Sequence, residues 1–271
     1  GWRGQCHYCN YSIDVPTSCR TCAAPYLEQA GFGTEKVELL LREQFPEARV
    51  SRVDRDSVRR KGALTSLLSK FAAGEIDVLV GTQMVAKGHD IPNVTLVGVI
   101  AADLGLHFPD YRAGERTFQL LTQVAGRAGR VKAPGTALLQ TFQPDPPVIR
   151  LTSAGDEEGF WKAEAGERRH AGVPPYGRMA GIILSGPDVA ALFDAGNQLA
   201  RQDAPLRAVG AQVYGPAPAP IARVRGRHRV RLLVKAEKAA PLQEALAKWV
   251  AQLRLKNDVR IAVDIDPQSF Y

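Results

Sequence analysis

Strand and helix patterns alternate through residues 31–143, and this alternation limits the chain to a small set of folds. Apolar residues recur at helical spacing in three segments, 37–45, 64–71 and 118–125. Short β-rich runs lie between and after these segments, at 49–53, 76–80, 94–100 and 136–142. Since strands separated by helices pair in parallel through crossovers, the pattern predicts an α/β fold with a parallel sheet. The nearly uninterrupted apolar run at 94–100 predicts a strand that is buried on both faces.

The last part of the chain has a different element order. Strands at 179–185, 211–214, 229–235 and 259–265 combine with helices at 187–202 and 240–255 in the order βαββαβ. This is the order of a ferredoxin-like α+β domain. Two proline clusters, near residues 145 and 175, mark turns or linkers. We therefore expect a cysteine-rich region at 1–30, an α/β lobe at 31–150, a helical connection at 151–175 and a C-terminal domain at 176–271.

The net charge of +7 comes from the last 71 residues. Residues 201–271 contain 13 basic and 6 acidic side chains, whereas the charges of residues 1–200 sum to zero. Five arginines fall within nine positions: Arg223, Arg225, Arg227, Arg229 and Arg231. A solvated surface is one explanation of such a run. We favour anion binding, because guanidinium groups match phosphate oxygens and no acidic residue occurs from 204 to 236.

Four cysteines form two C-x2-C pairs, Cys6 with Cys9 and Cys19 with Cys22. Paired thiolates at this spacing are typical of a structural Zn²⁺ site. A redox dithiol and an iron–sulfur cluster are less favoured alternatives, and His7 is an alternative ligand. The spacing leaves open whether the four sulfurs bind one ion or whether each pair completes a site with further cysteines.

Two segments contain residues typical of nucleotide machinery, although the phosphate-binding loop G-x-x-x-x-G-K-[ST] does not occur in the sequence. Residues 81–92 (GTQMVAKGHDIP) follow a predicted strand, and α/β sheets bind ligands at the carboxyl ends of strands. Residues 123–130 (QVAGRAGR) close the third helix, where Arg127 and Arg130 are spaced to share one helix face and one anion. Each segment also has a simpler explanation. Residues 123–130 could be a helix that ends at glycine, with basic residues placed near the negative end of the helix dipole. In residues 81–92, Asp90 could be a turn residue before the proline.

Together the two segments resemble motifs V and VI of superfamily 2 helicases, in the second RecA-like lobe. Further blocks are similar to the PriA family of replication restart helicases, the primosomal proteins N′, in order along nearly the whole chain: 31–35, 52–56, 60–63, 110–116, 168–169, 174–176, 215–218 and 264–267. The resemblance implies the carboxyl portion of a larger motor, with part of a cysteine-rich region, the second helicase lobe and the C-terminal domain. The phosphate-binding loop would lie in a first lobe outside the chain, so this fragment alone should be inactive.

The resemblance also assigns roles by position. Arg127 and Arg130 would reach the γ-phosphate of ATP, which the intact protein binds with Mg²⁺, while Gln123 and Gly126 would shape that element. Gly88 and Asp90 would link the nucleotide to DNA, and Thr82 would contact the DNA backbone. The arginines expected to bind DNA in the C-terminal domain are Arg223, Arg225, Arg227 and Arg229. In the family, eight cysteines in interleaved pairs bind two zinc ions, so the two pairs here would serve different ions.

The function implied is that of an ATP-dependent 3′→5′ DNA helicase that recognises stalled forks and restarts replication by primosome assembly. Expected partners are forked and single-stranded DNA, replication restart proteins and single-strand-binding proteins, in the cytoplasm and without a membrane. The alternative is a non-enzymatic nucleic-acid-binding module, a zinc ribbon followed by a basic ferredoxin-like domain. A scaffold that loads other replication proteins is a third possibility, compatible with the first.

Overall fold

The computed structural model describes residues 3–6, 12–19, 21–25, 33–54, 62–82, 94–129, 135–254 and 258–270. The chain divides into two compact units. The middle unit contains Glu28–Phe108 and Ala113–Phe160. The C-terminal unit contains Gly1–Leu27, Pro109–Arg112 and Trp161–Tyr271. None of the helices in the described ranges is both long enough and apolar enough to cross a membrane.

The middle unit contains two pairs of parallel strands, as the alternating pattern predicts. β3 (Val50–Val53) pairs with β4 (Val78–Gly81), and β5 (Leu96–Val99) pairs with β6 (Thr136–Leu139). The helices between and after these strands are α1 (Thr34–Gln44), α2 (Ala63–Ala72), α3 (Ala113–Ala125) and α4 (Pro147–Ala154), with a 3-10 turn at Leu104–His107. Each parallel pair is joined by a crossover that contains a helix, which is what parallel pairing requires.

One face of the β5–β6 pair covers the core of the middle unit. The rings of Phe118 in α3 and Phe160 stack with their centroids 3.9 Å apart and 4° between their planes. Val99 and Leu139 pack against this core. On the opposite face, Leu96 and Leu138 are each 57% exposed. The prediction that the 94–100 strand is buried on both faces is therefore wrong, because the described helices that pack on this pair cover only the face of Val99 and Leu139.

The C-terminal unit is built on a four-stranded antiparallel sheet in the spatial order β10-β7-β9-β8. Its strands are β7 (Gly177–Gly186), β8 (Gln212–Val224), β9 (Arg227–Glu237) and β10 (Arg260–Ile265). Its helices are α5 (Glu157–Ala171), which begins in the middle unit, α6 (Val189–Arg201), the short α7 (Ala204–Arg207) and α8 (Leu242–Val250). The unit also contains a hairpin of β1 (Arg3–Gln5) and β2 (Ser12–Asp14).

Alternation along β9 and along the second half of β7 places an apolar row of each strand in the core. Ile182, Leu184, Leu232 and Val234 have no exposed surface and pack beneath α6 and α8. Trp249 of α8 is fully buried, and its indole nitrogen donates to the carbonyl of Leu199, 2.9 Å away. Buried indoles need such a partner, so this bond fixes how α8 lies against α6.

Strand β8 is much longer than the predicted 211–214. It extends to Val224 through two shifts in its register with β9, one between Tyr214 and Ala217 and one between Pro218 and Arg223. Local periodicity does not reveal such a strand, because bulges interrupt the alternation. The consequence is that the arginine run lies on a long hairpin of β8 and β9.

The amino ends of β3 and β4 are joined by Arg49 and Asp77, which come just before them. Both carboxylate oxygens of Asp77 accept from the Arg49 guanidinium, at 2.7 and 2.8 Å, and one of them also accepts from the Arg49 backbone N–H at 2.8 Å. The side-chain hydrogen bonds from Arg49 lower the pKa of Asp77 to about 2.

We predict an acid-dependent contribution of this pair to stability. A carboxyl group whose pKa is depressed on folding stabilises the fold above its ordinary value of 3.8, and that stabilisation is lost as the pH falls through about 2. Asp77→Asn should therefore flatten the change in unfolding free energy between pH 4 and pH 2, measured by urea denaturation. An NMR titration of the Asp77 carboxyl centred near 4 would contradict this account.

Candidate nucleotide and DNA contacts

The first nucleotide-type segment begins at the carboxyl end of a parallel strand, as expected. β4 ends at Gly81, which pairs with Val53 at the end of β3. The residues that follow, Thr82 and Asp54, therefore leave the two strands at the same edge. Gly88 and Asp90 lie outside the described residues.

An ionic cluster lies at this edge and surrounds one guanidinium group. Arg52 contacts Glu35 at 2.8 Å, Asp54 at 3.1 Å and Glu38 at 3.2 Å. The hydrogen bond that Arg52 donates to Glu35 and the charges of all three carboxylates raise the pKa of Arg52. Arg42 adds a second guanidinium, 2.9 Å from Glu38. Among the described residues of this edge, the three carboxylates outnumber the two guanidiniums of the cluster.

Sequence reasoning did not identify this cluster as a unit. Glu35 and Glu38 are one turn apart on α1, and Arg52 and Asp54 flank Val53 at the end of β3. Their pairing depends on α1 packing beside β3, which the local pattern does not specify.

The second nucleotide-type segment forms a tight turn after α3. The helix ends at Ala125, and the backbone N–H groups of Arg127 and Ala128 donate to carbonyls three residues earlier, at 3.0 and 3.1 Å. Gln123 is exposed in the last turn of the helix, Gly126 is exposed just after it, and Arg127 is half-buried. Arg127 follows the helix instead of lying within it. Its predicted alignment with Arg130 stays a prediction, because Arg130 is outside the described residues.

The turn is held against the amino ends of β5 and β6. Gly129, at φ +81°, donates its N–H to the carbonyl of Val94 at 2.9 Å, just before β5. Gly135 precedes β6, and a Cβ at Gly135 would overlap the backbone of Ala128 and Gly129. Gly135 was not among the predicted residues, and the only sequence signal for it is a glycine directly before a strand.

The arginine run lies on the β8–β9 hairpin. Arg225 and Gly226 form its turn with φ values of +48° and +81°, the backbone that two-residue hairpin turns favour. Arg223 pairs across the hairpin with His228, and Val224 with Arg227. Arg223 and Arg225 are exposed at the tip.

The remaining arginines of the run bind backbone carbonyls of their own domain. Arg227 donates to the carbonyls of Ser185 and Asp258 at 2.9 and 2.6 Å. Arg229 donates to Ile221 at 3.4 Å, and Arg231 to Phe270 at 3.2 Å. The run therefore divides into an exposed tip and a set of partly buried side chains that join strands.

The cysteines are described in part. The backbone N–H of Thr21 donates to the Cys19 sulfur at 3.4 Å, and backbone N–H groups of Cys22 and Thr21 lower the pKa of the Cys19 thiol. Cys22 is exposed and Cys6 is half-buried, while Cys9 lies outside the described residues. Within the ranges that the structure describes, no three histidine, cysteine or acidic side chains converge as a metal site.

Comparison with known sequences identifies two matching families and a set of similar proteins. A family described as the helicase conserved C-terminal domain matches residues 27–132, and one described as the primosomal protein N C-terminal domain matches residues 169–268. Replication restart protein PriA of Bacillus subtilis is 41% identical over 270 residues, covering 98% of this chain and 34% of that protein. Its counterpart in Rickettsia conorii is 38% identical over 268 residues, covering 98% of this chain and 41% of that protein.

The chain belongs to the PriA family. It spans about a third to two fifths of the length of these relatives and corresponds to their carboxyl-terminal part. The predicted family is thereby confirmed, and strands β3, β4 and β5 of the middle unit lie within the part that matches the helicase C-terminal domain. The boundaries within the chain and the roles of individual residues stay predictions.

We predict that Gly135 is required for the turn after α3. A methyl group at this position would overlap the backbone of Ala128 and Gly129. Backbone atoms cannot move aside by a rotamer change, as the end of a flexible side chain can. Gly135→Ala should lower the unfolding free energy by about 1–3 kcal/mol, as overpacking does. The matched control is Gly98→Ala in β5, where nothing lies within 4 Å of the added carbon. If urea denaturation gave the same loss of unfolding free energy for both variants, the close approach of Gly135 to the backbone of the turn would not explain the effect.

Proposed function

We propose that the chain is the carboxyl-terminal part of an ATP-dependent 3′→5′ DNA helicase that restarts replication at stalled forks. The observation that carries this proposal is the near-complete coverage of the chain by restart proteins, together with the tight turn that presents Arg127 after α3. The intact protein would act on forked and single-stranded DNA in the cytoplasm. It would work with replication restart proteins and single-strand-binding proteins during primosome assembly.

The middle unit is proposed to be the second RecA-like lobe. Arg127 is the described side chain best suited to a nucleotide phosphate, because a guanidinium on a rigid turn stabilises charge without reorganising. ATP and Mg²⁺ supply the phosphoryl-transfer chemistry when bound in the intact protein. Gln123 and Gly126 shape the same turn, and Arg130 follows it. The sequence has no phosphate-binding loop, so we expect the 271-residue chain alone to hydrolyse no ATP.

The C-terminal unit is proposed to be a ferredoxin-like domain that binds DNA through the tip of the β8–β9 hairpin. Its βαββαβ order and antiparallel strand order support the fold assignment. Arg223 and Arg225 are the best candidates for phosphate contacts, because they are exposed at the tip. Arg227 and Arg229 contribute charge to the same surface while they hold the hairpin to its neighbours.

The cysteine-rich segment is proposed to supply ligands for zinc. The lowered pKa of Cys19 and the donation of the Thr21 N–H to its sulfur favour a thiolate, the form that binds Zn²⁺. Cys19 and Cys22 fit one pair of ligands in a structural site, and Cys6 and Cys9 fit another. The two pairs would stabilise the segment when metal is bound.

The nucleotide role of Arg127 predicts a specific kinetic defect. In the intact protein, Arg127→Ala should lower the kcat of DNA-stimulated ATP hydrolysis by about 1000-fold, the scale on which guanidiniums at a γ-phosphate act. The control is Arg150→Ala, which removes an exposed guanidinium from α4 of the same unit. If phosphate release by the Arg127 variant matched the wild type, the non-enzymatic binding module would become the better explanation.

The hairpin role predicts a change in salt dependence. Each phosphate contact to single-stranded DNA contributes about 0.7 to the slope of log affinity against log salt concentration. Combining Arg223→Ala and Arg225→Ala should therefore flatten that slope by about 1.4 for a fluorescent oligothymidylate titrated into the chain. Lys248→Ala removes an exposed cation from α8 and should leave the slope unchanged. An unaltered slope in the double variant would place the DNA contact elsewhere.

A further inference from the structure

The segment Pro109–Arg112 is exceptional in the chain, because it belongs to the C-terminal unit although the residues on either side of it belong to the middle unit. The peptide bond from Arg112 leads directly into α3, the helix that ends beside Gln123 and Arg127. Whatever holds this segment therefore holds the first residue of α3.

One carboxylate in the segment makes two different bonds. Oδ1 of Asp110 accepts from the backbone N–H of Arg112 at 2.9 Å, which closes the turn that enters α3. Oδ2 of the same group accepts from the backbone N–H of Phe270 at 3.4 Å, across 160 residues of sequence. The carboxylate thus connects the local turn with the end of the C-terminal domain.

Aromatic and cationic contacts of Tyr111, the next residue, also hold the segment. The ring of Tyr111 meets the buried Phe270 ring edge to face, with centroids 5.8 Å apart, and the guanidinium of Arg168 lies 5.2 Å from the Tyr111 ring. Arg231 donates to the carbonyl of Phe270, and the charge of Asp110 opposes the fall in the pKa of Arg231 that burial causes. A partly buried guanidinium needs such a compensating charge.

We propose that Asp110 is a positioning residue for α3, through which the C-terminal domain controls the element that carries Gln123 and Arg127. The proposal rests on the nucleotide role of that element. Asp110 accepts from Phe270, whose carbonyl accepts from Arg231 of β9, and it also accepts from Arg112, the residue before α3. Loosening these contacts increases the freedom of α3 without removing any group from the nucleotide site.

An amide substitution separates the two bonds of Asp110. In Asp110→Asn one oxygen remains and can still accept from Arg112. The other oxygen is replaced by an NH2 group, which cannot accept from the Phe270 N–H, and the charge opposite Arg231 is lost. Asp188→Asn is the matched control, because Asp188 Oδ1 accepts from the Ala190 N–H at 2.9 Å in the same type of turn, at the start of α6.

Hydrogen exchange of the 271-residue chain tests the coupling without any catalytic assay. Asp110→Asn should raise the exchange rate of amides 117–121 in α3 about tenfold, while Ile182 and Leu232 keep their wild-type protection. Asp188→Asn should leave α3 unchanged. A second variant, Phe270→Leu, alters no residue of the middle unit and should raise the exchange rates of the same α3 amides about threefold. If Asp110→Asn does not fold, the Phe270→Leu result by itself tests the coupling. Wild-type exchange of α3 in Phe270→Leu would overturn the proposal.

Kinetics of the intact protein then test the consequence. Asp110→Asn should lower the DNA-stimulated kcat at least fivefold while the KM for ATP stays within twofold, and Asp188→Asn should change neither. An unchanged kcat would overturn the positioning role. Arg127→Ala in the same assay tests the nucleotide role separately. If that variant kept the wild-type kcat, the nucleotide role would be wrong, but the hydrogen-exchange result would still test the coupling between Asp110 and α3.

Discussion

Parallel pairing of strands is the constraint on which the middle unit depends. A parallel pair needs a crossover, and the crossover fixes where each functional segment emerges. Thr82 leaves β4 at its carboxyl end, whereas the turn with Arg127 follows a crossover helix and lies at the amino ends of β5 and β6. The two segments therefore emerge at opposite ends of their respective strands.

In the C-terminal unit, the alternation of side chains along β9 determines which residues enter the core and which remain on the other face. It sends Val230, Leu232 and Val234 into the core and leaves the arginines on the other face. The arginines of β9 bind backbone carbonyls, whereas Arg223 on β8 and Arg225 in the turn are exposed. The count of positive charges in the run therefore overstates the number that are exposed at the tip of the hairpin.

Much of the fold follows from local pattern, and most of what was missed depends on contacts distant in sequence. Most helices and strands of both units were predictable, because periodicity is a local property. The length of β8 was not, since bulges break its alternation. Gly135 and the carboxylates around Arg52 acquire meaning only from neighbours that packing brings close. The position of Arg127 beyond the end of α3 depended on a helix boundary, the least certain feature of any pattern.

The described charges of the two units are arranged differently. In the middle unit, the described carboxylates around Arg52 offset its positive charge, and the turn after α3 is held in place at Gly129 and Gly135. In the C-terminal unit, positive charge is concentrated on an exposed hairpin, where it acts at longer range and is screened by salt. Under the proposed function, DNA binding at the hairpin and nucleotide binding at the turn would require a link between the two elements. Asp110 supplies the residue through which such a link can act, because a single carboxylate both closes the turn into α3 and binds the end of the C-terminal domain.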